Sequence, residues 1–345
     1  MKKQCLSHFT FPGGVSVCLL FCILLSTGLL INISYGFIPG EKNPKAMNFK
    51  WSQTDTSLAL LNKDVIIWQY NFRKNGKPYF HPVSTPDGVP LTWKSPPDHA
   101  WHYALWFSWK KINDLNYWEE DRKTGQARGK TEVVAVSVFP HDDFSATIEM
   151  TIAYHPPGKP PVLTEKRSLF VTPPDEKGNY YIDWKSTFTA GKERVVLERT
   201  PIEGQKGGRR WGGYGTLACR IDTRSLKNIR FLDSEGRVDL DIHTKHTAWV
   251  DVSGTVATDS SKAAGITIFD HPDNSRHPPP GYVIKDWVES HQLLFAYMNP
   301  GFLYEKGFTL EPEKSLTLRY RIFVHQGRGA VEKLQNEFEK FIAKK

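Results

Sequence analysis

Hydrophobic and polar residues alternate with a period of two along much of the chain from Phe49 onward. The alternation is clearest over residues 147–154, 180–188 and 316–324, where it predicts strands with one face on a core and the other toward water. Composition and flanking turns predict further strands at 64–72, 131–139, 195–199, 247–256, 263–269 and 292–297. Turn-forming pairs such as Asn75-Gly76 separate several of these segments.

Helical spacing is clear in one segment, close to the C-terminus. The apolar residues there recur every three or four positions: Val331, Leu334, Phe338, Phe341 and Ile342. A short helix over residues 98–111 is a further possibility that the pattern leaves open. Many closely spaced strands without interleaved helices favour an all-β fold. We therefore predict a large antiparallel β-sandwich with a C-terminal amphipathic helix lying on one sheet.

The N-terminal segment has the pattern of an export signal. Lys2 and Lys3 precede an apolar run over residues 15–31, and small residues precede Phe37. The alternative is an uncleaved membrane anchor, because the apolar run is at the lower edge of spanning length. Either reading predicts a protein exported to the periplasm or the extracellular space.

Cysteine usage agrees with this division of the chain. Residues 1–36 are the predicted signal peptide or anchor, and residues 37–345 are predicted to form a single β-sandwich domain. Three of the four cysteines lie in the first segment, which leaves Cys219 in the domain. The domain is therefore expected to contain neither a disulfide nor a cysteine-based zinc site.

The net charge of +8 falls by two, to +6, when Lys2 and Lys3 are removed. Basic residues are spread along the chain without a basic stripe, so we expect no nucleic-acid partner. A carbohydrate partner, including an anionic polysaccharide, is compatible with this charge. Apart from the N-terminal run, nothing predicts a stable membrane partner.

The densest group of polar and aromatic residues lies between Tyr79 and Trp109. Its candidate functional residues are His81, Asp98, His99, Trp101 and His102. On a helix, His99 and His102 would share a face and could bind a metal or flank a sugar hydroxyl. The alternative is a pair of histidines hydrogen-bonded within a rigid loop. Because two histidines alone are weak evidence for a metal, we expect no metal and no cofactor.

A second polar loop has the same character. It carries Asp270 at the end of a predicted strand, followed by His271, Arg276 and His277. Sites in sandwich folds are often mounted on loops at strand ends, and arginine binds carboxylates and hydroxyls through its planar fork. The alternative is a structural brace within the loop. We predict that this loop and the loop around His99 line one composite pocket.

A glycine-rich segment over residues 200–215 supplies two more candidates. Glu203 is an isolated carboxylate suited to acid–base work, and Trp211 is a platform for a sugar ring. The segment lacks a phosphate-loop motif, and a mobile surface loop is the alternative reading. Glu119 and Glu120 are the second choice for the carboxylate, unless they lie on a solvated face.

Five motifs together carry a family resemblance. They read PYFHPVSTPDGVPLT, DHAWHYALWFSWKKINDLNYW, TPIEGQKGGRRWGGYG, GITIFDHPDNSRHP and LTLRYRIFVHQG. In this order they resemble the PmoA family, a bacterial domain named after methane oxygenase. Trp101 stands where related members usually carry a further histidine, which argues against a three-histidine metal site. The mean hydropathy of −0.45 and a single apolar run also argue against a membrane monooxygenase.

The resemblance implies a sugar-active β-sandwich by association, and the residues add a mechanism. We expect an exported enzyme in which His99 or His102 works with Glu203 or Asp270 as acid and base at a sugar carbon. In this hypothesis, the residues that contact the sugar are His81, Asp98, Trp101, Trp211, His271, Arg276 and His277. Two alternatives remain open, a non-catalytic glycan-binding module and the metal-dependent oxidoreductase that the family name implies.

Overall fold

The structure is a computed structural model and describes residues 47–343. The strands in that range are β1 (Phe49–Thr54), β2 (Ser57–Asn62), β3 (Val65–Asn71), β4 (Tyr79–Val83), β5 (Leu105–Ser108), β6 (Lys111–Ile112), β7 (Leu115–Asn116), β8 (Lys130–Pro140), β9 (Ala146–His155), β10 (Leu163–Val171), β11 (Tyr180–Ala190), β12 (Val195–Glu198), β13 (Thr216–Arg220), β14 (Leu226–Asp233), β15 (Trp249–Val256), β16 (Asp259–Asp270), β17 (Gly281–Val288), β18 (Leu293–Pro300), β19 (Phe308–Leu310) and β20 (Ser315–Gln326). One α-helix, α1, covers Val331–Ile342, and short 3-10 helices cover Asp239–Ile242 and Glu289–His291. The predicted signal segment lies outside the described residues.

The strands form two large antiparallel sheets and one small one. Sheet A has the order β1-β2-β3-β4-β5-β13-β18-β17, and sheet B has the order β14-β15-β16-β20-β11-β10-β9-β8. The small sheet has the order β19-β12-β6-β7. The main hydrophobic cluster draws on strands of both large sheets, so the core lies between them. The predicted all-β antiparallel sandwich is confirmed.

Period-two alternation sends the side chains of sheet A to two different clusters. On β5, β13 and β18, Leu105, Cys219 and Met298 belong to the core between the sheets. Their alternating neighbours Trp106, Ala218 and Tyr297 belong to a second buried cluster on the outer face. That cluster also contains Phe295 of β18 and Tyr282 and Ile284 of β17. Sheet A is therefore covered on both faces in this region.

The predicted C-terminal helix is present. Helix α1 buries Leu334, Phe338 and Phe341. These side chains pack in a third cluster with Trp249 and Phe323, which lie on the face of sheet B turned away from the core. No helix within residues 47–343 is long and apolar enough to cross a membrane.

The possible helix over residues 98–111 is not formed. Residues 98–101 lie in turns, and Ala104 has a φ of 66°, which a right-handed helix does not accommodate. Leu105–Ser108 then enters sheet A as β5, with all four residues buried. A strand with both faces covered lacks the polar alternation that identifies a half-exposed strand.

A pair of opposite charges lies inside the sandwich. Glu165 and Arg167 on β10 are both fully buried, and Arg167 donates two hydrogen bonds to the carboxylate at 2.7 and 3.0 Å. Tyr70 accepts a further bond from Arg167, and Tyr154 and Ser186 donate to Glu165. Burial of both charges is tolerated because their hydrogen-bonding groups are satisfied.

Candidate functional site

A cavity of about 210 Å³ opens on the outer face of sheet A. We call it the aromatic cavity, and its lining residues are His99, Trp101, His102, Trp118, Glu119, Trp211, Tyr214, Tyr282, Ile284, Asp286, Val288, Phe295 and Tyr297. Seven of the thirteen are aromatic, and four are histidines or acids. Apolar walls with a few convergent polar groups are typical of ligand sites.

One wall comes from strands β17 and β18. Tyr282, Ile284 and Asp286 follow one another at every second position of β17, so they face the same side. In the antiparallel register, Ile284 lies opposite Tyr297 and Asp286 opposite Phe295. Strand alternation thus places aromatic and acidic side chains on the cavity side.

The two histidines come from the turn before β5. The backbone N–H of His102 donates to the carbonyl of His99 at 3.0 Å, which closes the turn. The two imidazole rings lie 4.6 Å apart between centroids, with an interplanar angle of 31°. The turn therefore brings the two imidazole rings side by side without a helix.

Asp98 and Arg220, which do not line the cavity, hold the ring of His99 in place. Nδ1 of His99 donates to Asp98 at 2.9 Å, and the fully buried Arg220 donates to both oxygens of Asp98 at 3.0 and 2.9 Å. Burial alone would raise the pKa of Asp98, but the hydrogen bond from His99 and the charge of Arg220 outweigh it and lower that pKa. The guanidinium of Arg220 lies 3.8 Å from the ring centroid of Phe295, and burial lowers its pKa to about 10.

His102 forms part of the cavity floor as a neutral imidazole. Only 5% of the residue is exposed, and its ring lies 5.4 Å from that of Tyr297. Burial lowers its pKa well below the usual range, and positive charge on His99 and Arg220 adds to the effect. Nδ1 of His102 has no hydrogen-bond partner among the described residues. The hydroxyl of Tyr297 is likewise buried without one.

Glu119 provides an ionised carboxylate on another wall. Oε1 accepts from the hydroxyl of Tyr214 at 2.5 Å, and Oε2 accepts from Asn116 at 2.6 Å and from Lys110. Burial raises the pKa of Glu119, but the charge of Lys110 and these hydrogen bonds lower it further than burial raises it. The carboxylate is therefore charged at neutral pH.

The glycine-rich segment contributes further lining residues to the cavity. The hydroxyl of Tyr282 donates to the backbone carbonyl of Trp211 at 2.8 Å, which ties the segment to β17. A Cβ atom at Gly212 would lie 2.1 Å from the carbonyl oxygen of Pro201, so only glycine fits that close approach. The chain thereby presents Trp211 and Tyr214 to the cavity.

A family profile for proteins of unknown function, DUF6807, matches residues 57–339. The chain belongs to DUF6807. The predicted membership of the PmoA family is wrong, because the matching profile is that of DUF6807, for which no function is assigned. No curated protein matches the chain by sequence.

The similarity of this DUF6807 protein to solved structures is low. The α-galactosidase of Lactobacillus brevis shares 12% identity at a TM-score of 0.40, over 84% of this chain and 41% of the enzyme. The GH36 α-galactosidase AgaB of Geobacillus stearothermophilus shares 10% at 0.35, over 81% and 41%. The Slr1438 protein of Synechocystis sp. PCC 6803 shares 9% at 0.32, over 85% and 99%. The chain thus spans about two fifths of the α-galactosidases, and these scores indicate neither its substrate nor its mechanism.

The structure brings together part of the predicted site. His99, Trp101, His102 and Trp211 all line the aromatic cavity. Asp98 lies behind His99 and binds it, without lining the cavity itself. The loop around His99 and the glycine-rich loop therefore do form one site, although they are more than a hundred residues apart in the chain.

The loop around Asp270 does not contribute to this cavity, so the predicted composite pocket of both histidine-rich loops is wrong. Asp270 accepts from His277 at 2.7 Å and from Asn274 at 2.9 Å, and its pKa is raised by burial. His271 packs against Phe341 of helix α1, 5.0 Å between ring centroids. The polar atoms of this loop are used to fix the loop itself and its contact with sheet B.

Arg276, predicted to bind substrate, is also a brace. Its guanidinium donates to the backbone carbonyls of Phe302, Lys306 and Gly307 at 2.7–2.8 Å. It stacks between the rings of Phe302 and Phe308 as well. With its donors used in this way, Arg276 holds the turn after β18, and it does not line the aromatic cavity.

Glu203 and His81 also lie outside the cavity. Glu203 is exposed in a turn of the glycine-rich segment. Of the glutamates that the sequence offered, Glu119, the second choice, is the one that lines the cavity. His81 lies on β4 with Nδ1 3.4 Å from the hydroxyl of Thr92. Burial, with the charge of Lys94, lowers the pKa of His81 to about 4.

Several cavity residues escaped the sequence analysis. They are Trp118, Tyr214, Tyr282, Ile284, Asp286, Val288, Phe295 and Tyr297. Three of them could have been found from the sequence, because Tyr282, Ile284 and Asp286 occupy alternate positions and would lie on one face of a strand. Within residues 47–343 there is no group of three or more His, Cys, Asp or Glu side chains arranged to hold a metal.

Proposed function

We propose that this DUF6807 protein is an exported carbohydrate-active enzyme whose aromatic cavity binds one sugar ring and acts on it by general acid–base chemistry. The observation that carries the proposal is the joint placement of His99, His102 and Glu119 around a cavity with seven aromatic side chains. Apolar faces receive the C–H side of a sugar ring, and the polar groups receive its hydroxyls.

The size of the cavity limits the ligand. At about 210 Å³ it is smaller than the ~300–1,000 Å³ typical of sites for drug-sized ligands. A single ring, either free or at the end of a chain, suits this volume better than an enclosed stretch of polysaccharide. The net positive charge of the chain is spread over the molecule, so the volume and lining of the cavity are the better guide to the ligand.

The charged groups divide into a base and an acid. Glu119 is ionised because Lys110 and three hydrogen bonds stabilise its charge, so it is the candidate base. His99 lines the cavity, and its Nδ1 is held by the carboxylate of Asp98 at 2.9 Å, so it is the candidate acid. His102 stays neutral and hydrogen-bonds a hydroxyl of the sugar. One acid and one base meet the needs of an epimerase or a lyase.

A second candidate reaction is glycoside hydrolysis. Glu119 and Asp286 both line the cavity, and hydrolysis ordinarily uses two carboxyl groups on either side of the scissile bond. Product analysis distinguishes the reactions, because hydrolysis creates new reducing ends, a lyase creates an unsaturated product and an epimerase changes only the configuration of the sugar.

The proposal is tested by titrating the purified protein with monosaccharides and with plant and algal oligosaccharides, then analysing the products. We expect binding and turnover by the wild type. His99→Gln should lower turnover by ~10²–10⁴-fold with a much smaller change in affinity. His141→Gln, an exposed histidine of the β8–β9 turn, is the matched control. Binding without turnover of any sugar would identify a binding module, and no binding would overturn the proposal.

Export is a separate part of the proposal, since it rests on the N-terminal sequence. Cell fractionation and N-terminal sequencing in the native host test it. We expect the protein in the periplasm or the medium, beginning at Phe37 if the signal is cleaved. Cytoplasmic protein that begins at Met1 would contradict export.

A further inference from the structure

We propose that Asp286 sets the charge preference of the aromatic cavity, so that it favours a sugar carrying an amino group and disfavours one carrying a carboxylate. This inference rests on the proposed sugar site and names its substrate class. Uncharged sugars would rank between the two.

Asp286 has no ion-pair partner within residues 47–343. It lies half-buried on β17, opposite Phe295 and on the same face as Tyr282 and Ile284. Among the described residues, its carboxylate accepts one hydrogen bond, from the backbone N–H of Trp287, next to it in sequence, at 3.0 Å. A carboxylate that keeps unused acceptor positions, set among aromatic side chains, can receive an ammonium group or sugar hydroxyls.

The other carboxylates near the cavity are paired. Each has a basic partner, in the pairs Glu119–Lys110, Asp98–Arg220 and Glu120–Lys77. No lysine or arginine is among the described residues that line the cavity. A carboxylated sugar would therefore enter next to Asp286 without a lining lysine or arginine to neutralise it.

The aromatic walls reinforce the preference. The electron-rich faces of tryptophan, tyrosine and phenylalanine attract cations, and Phe295 lies directly across from Asp286. Arg122 and Arg210 lie over the rings of Trp101 and Trp211 at 5.9 and 4.6 Å, but neither arginine lines the cavity. An anionic polysaccharide, which the net charge of the whole chain allows, is thus a poor match for this wall of the cavity.

The test compares galactosamine, galactose and galacturonic acid, together with the corresponding glucose derivatives, by calorimetric titration at mildly acidic pH and low salt. We expect the wild type to bind the amino sugar most tightly and the uronic acid least. Asp286→Asn, which keeps the shape and removes the charge, should weaken the amino sugar about tenfold relative to the neutral sugar. Asp55→Asn, in the exposed β1–β2 turn at the far edge of sheet A, is the matched control.

The outcomes separate this inference from the proposed function. Uronic acids that bind the wild type as tightly as amino sugars would overturn the inference and leave the sugar site in place. The same follows if Asp286→Asn binds amino and neutral sugars in the wild-type ratio. If no sugar of any charge binds the wild type, the proposed function fails and the inference fails with it.

Discussion

The phenolic hydroxyl of Tyr214 donates a hydrogen bond to Oε1 of Glu119 over 2.5 Å, across 95 residues of sequence. This bond joins the glycine-rich segment before β13 to the turn after β7. Because Asn116 and Lys110 bind the other oxygen, the carboxylate is held in one orientation and in its charged form. Orientation and charge are what a base in a sugar site needs.

Glu119→Gln tests whether the base is Glu119, which lines the cavity in the structure, or Glu203, which the sequence favoured. Glutamine keeps the hydrogen bond to Tyr214 but cannot accept a proton as a carboxylate does, so we expect turnover to fall by ~10²–10⁴-fold. Glu203→Gln, at the exposed position that the sequence favoured, should leave turnover unchanged. Steady-state kinetics on the best substrate of the panel would measure both.

Circular dichroism spectra and unfolding temperatures of the two variants provide the control for folding. A loss of turnover in Glu203→Gln together with full turnover in Glu119→Gln would reverse the assignment. Because Glu203 does not line the cavity, that result would also require the glycine-rich segment to move until Glu203 reaches the sugar.

The lowered pKa of His81 predicts how the free energy of unfolding depends on pH. Its pKa in the folded protein is about 4, chiefly because it is buried, whereas an unfolded chain protonates histidine near pH ~6.5. Between these values the unfolded state binds more protons, so His81 destabilises the fold progressively as the pH falls from about 6.5 toward 4. Above that window the contribution is absent.

We therefore expect His81→Gln to lose less stability than the wild type over the same pH range. Urea unfolding at a series of pH values would give the two free-energy curves. His102 has a depressed pKa as well, so the variant should retain some of the slope. Parallel curves for wild type and variant would show that His81 does not titrate as the structure implies.

The buried pair in the sandwich predicts a large stability effect. Arg167→Met removes the partner of Glu165 and leaves a buried carboxylate without its counter-charge, which typically costs about 3–5 kcal/mol. The double variant Arg167→Met/Glu165→Gln should recover part of this loss because the charge is gone. Lys340→Met, which breaks the exposed pair with Glu337 on helix α1, should have little effect.

Urea denaturation of these three variants would measure the free energies of unfolding. If Arg167→Met costs no more than Lys340→Met, the pair is not buried as described. If the double variant is as unstable as Arg167→Met, the cost arises from packing and not from the unpaired charge.

Sequence analysis found strands of two kinds. Some were predicted from alternation, and others, such as β15 and β18, were predicted from composition and flanking turns although they are almost wholly buried. Strands β9, β11 and β20 alternate apolar and polar residues, which is a local property of the chain. Strand β17 was missed although Tyr282, Ile284 and Asp286 alternate along it, because its first four residues are all buried and Val283 between them is apolar as well. Strand β17 supplies four of the thirteen lining residues, and none of these four was predicted: Tyr282, Ile284, Asp286 and Val288.

Similar composition also misled the assignment of the two histidine-rich loops. Both carry aspartate, histidine and proline, but Asp270 and His277 bind each other, whereas His102 keeps a ring nitrogen without a protein partner. This difference depends on which sheet lies beneath each loop and which side chains surround it. A single sequence does not contain that information, although it did identify His99, His102 and Trp211.

Saturation-transfer NMR of the sugar panel with the wild type, Trp211→Ala and Trp287→Ala measures directly whether the aromatic cavity binds a sugar. Trp211 lines the aromatic cavity, whereas Trp287 is half-exposed and does not line it. We predict transfer to the ring protons of at least one sugar in the wild type and in Trp287→Ala. In Trp211→Ala the affinity should fall by about tenfold or more, since a stacking wall is removed. Absence of transfer in the wild type, or equal transfer in Trp211→Ala, would contradict a sugar site in this cavity.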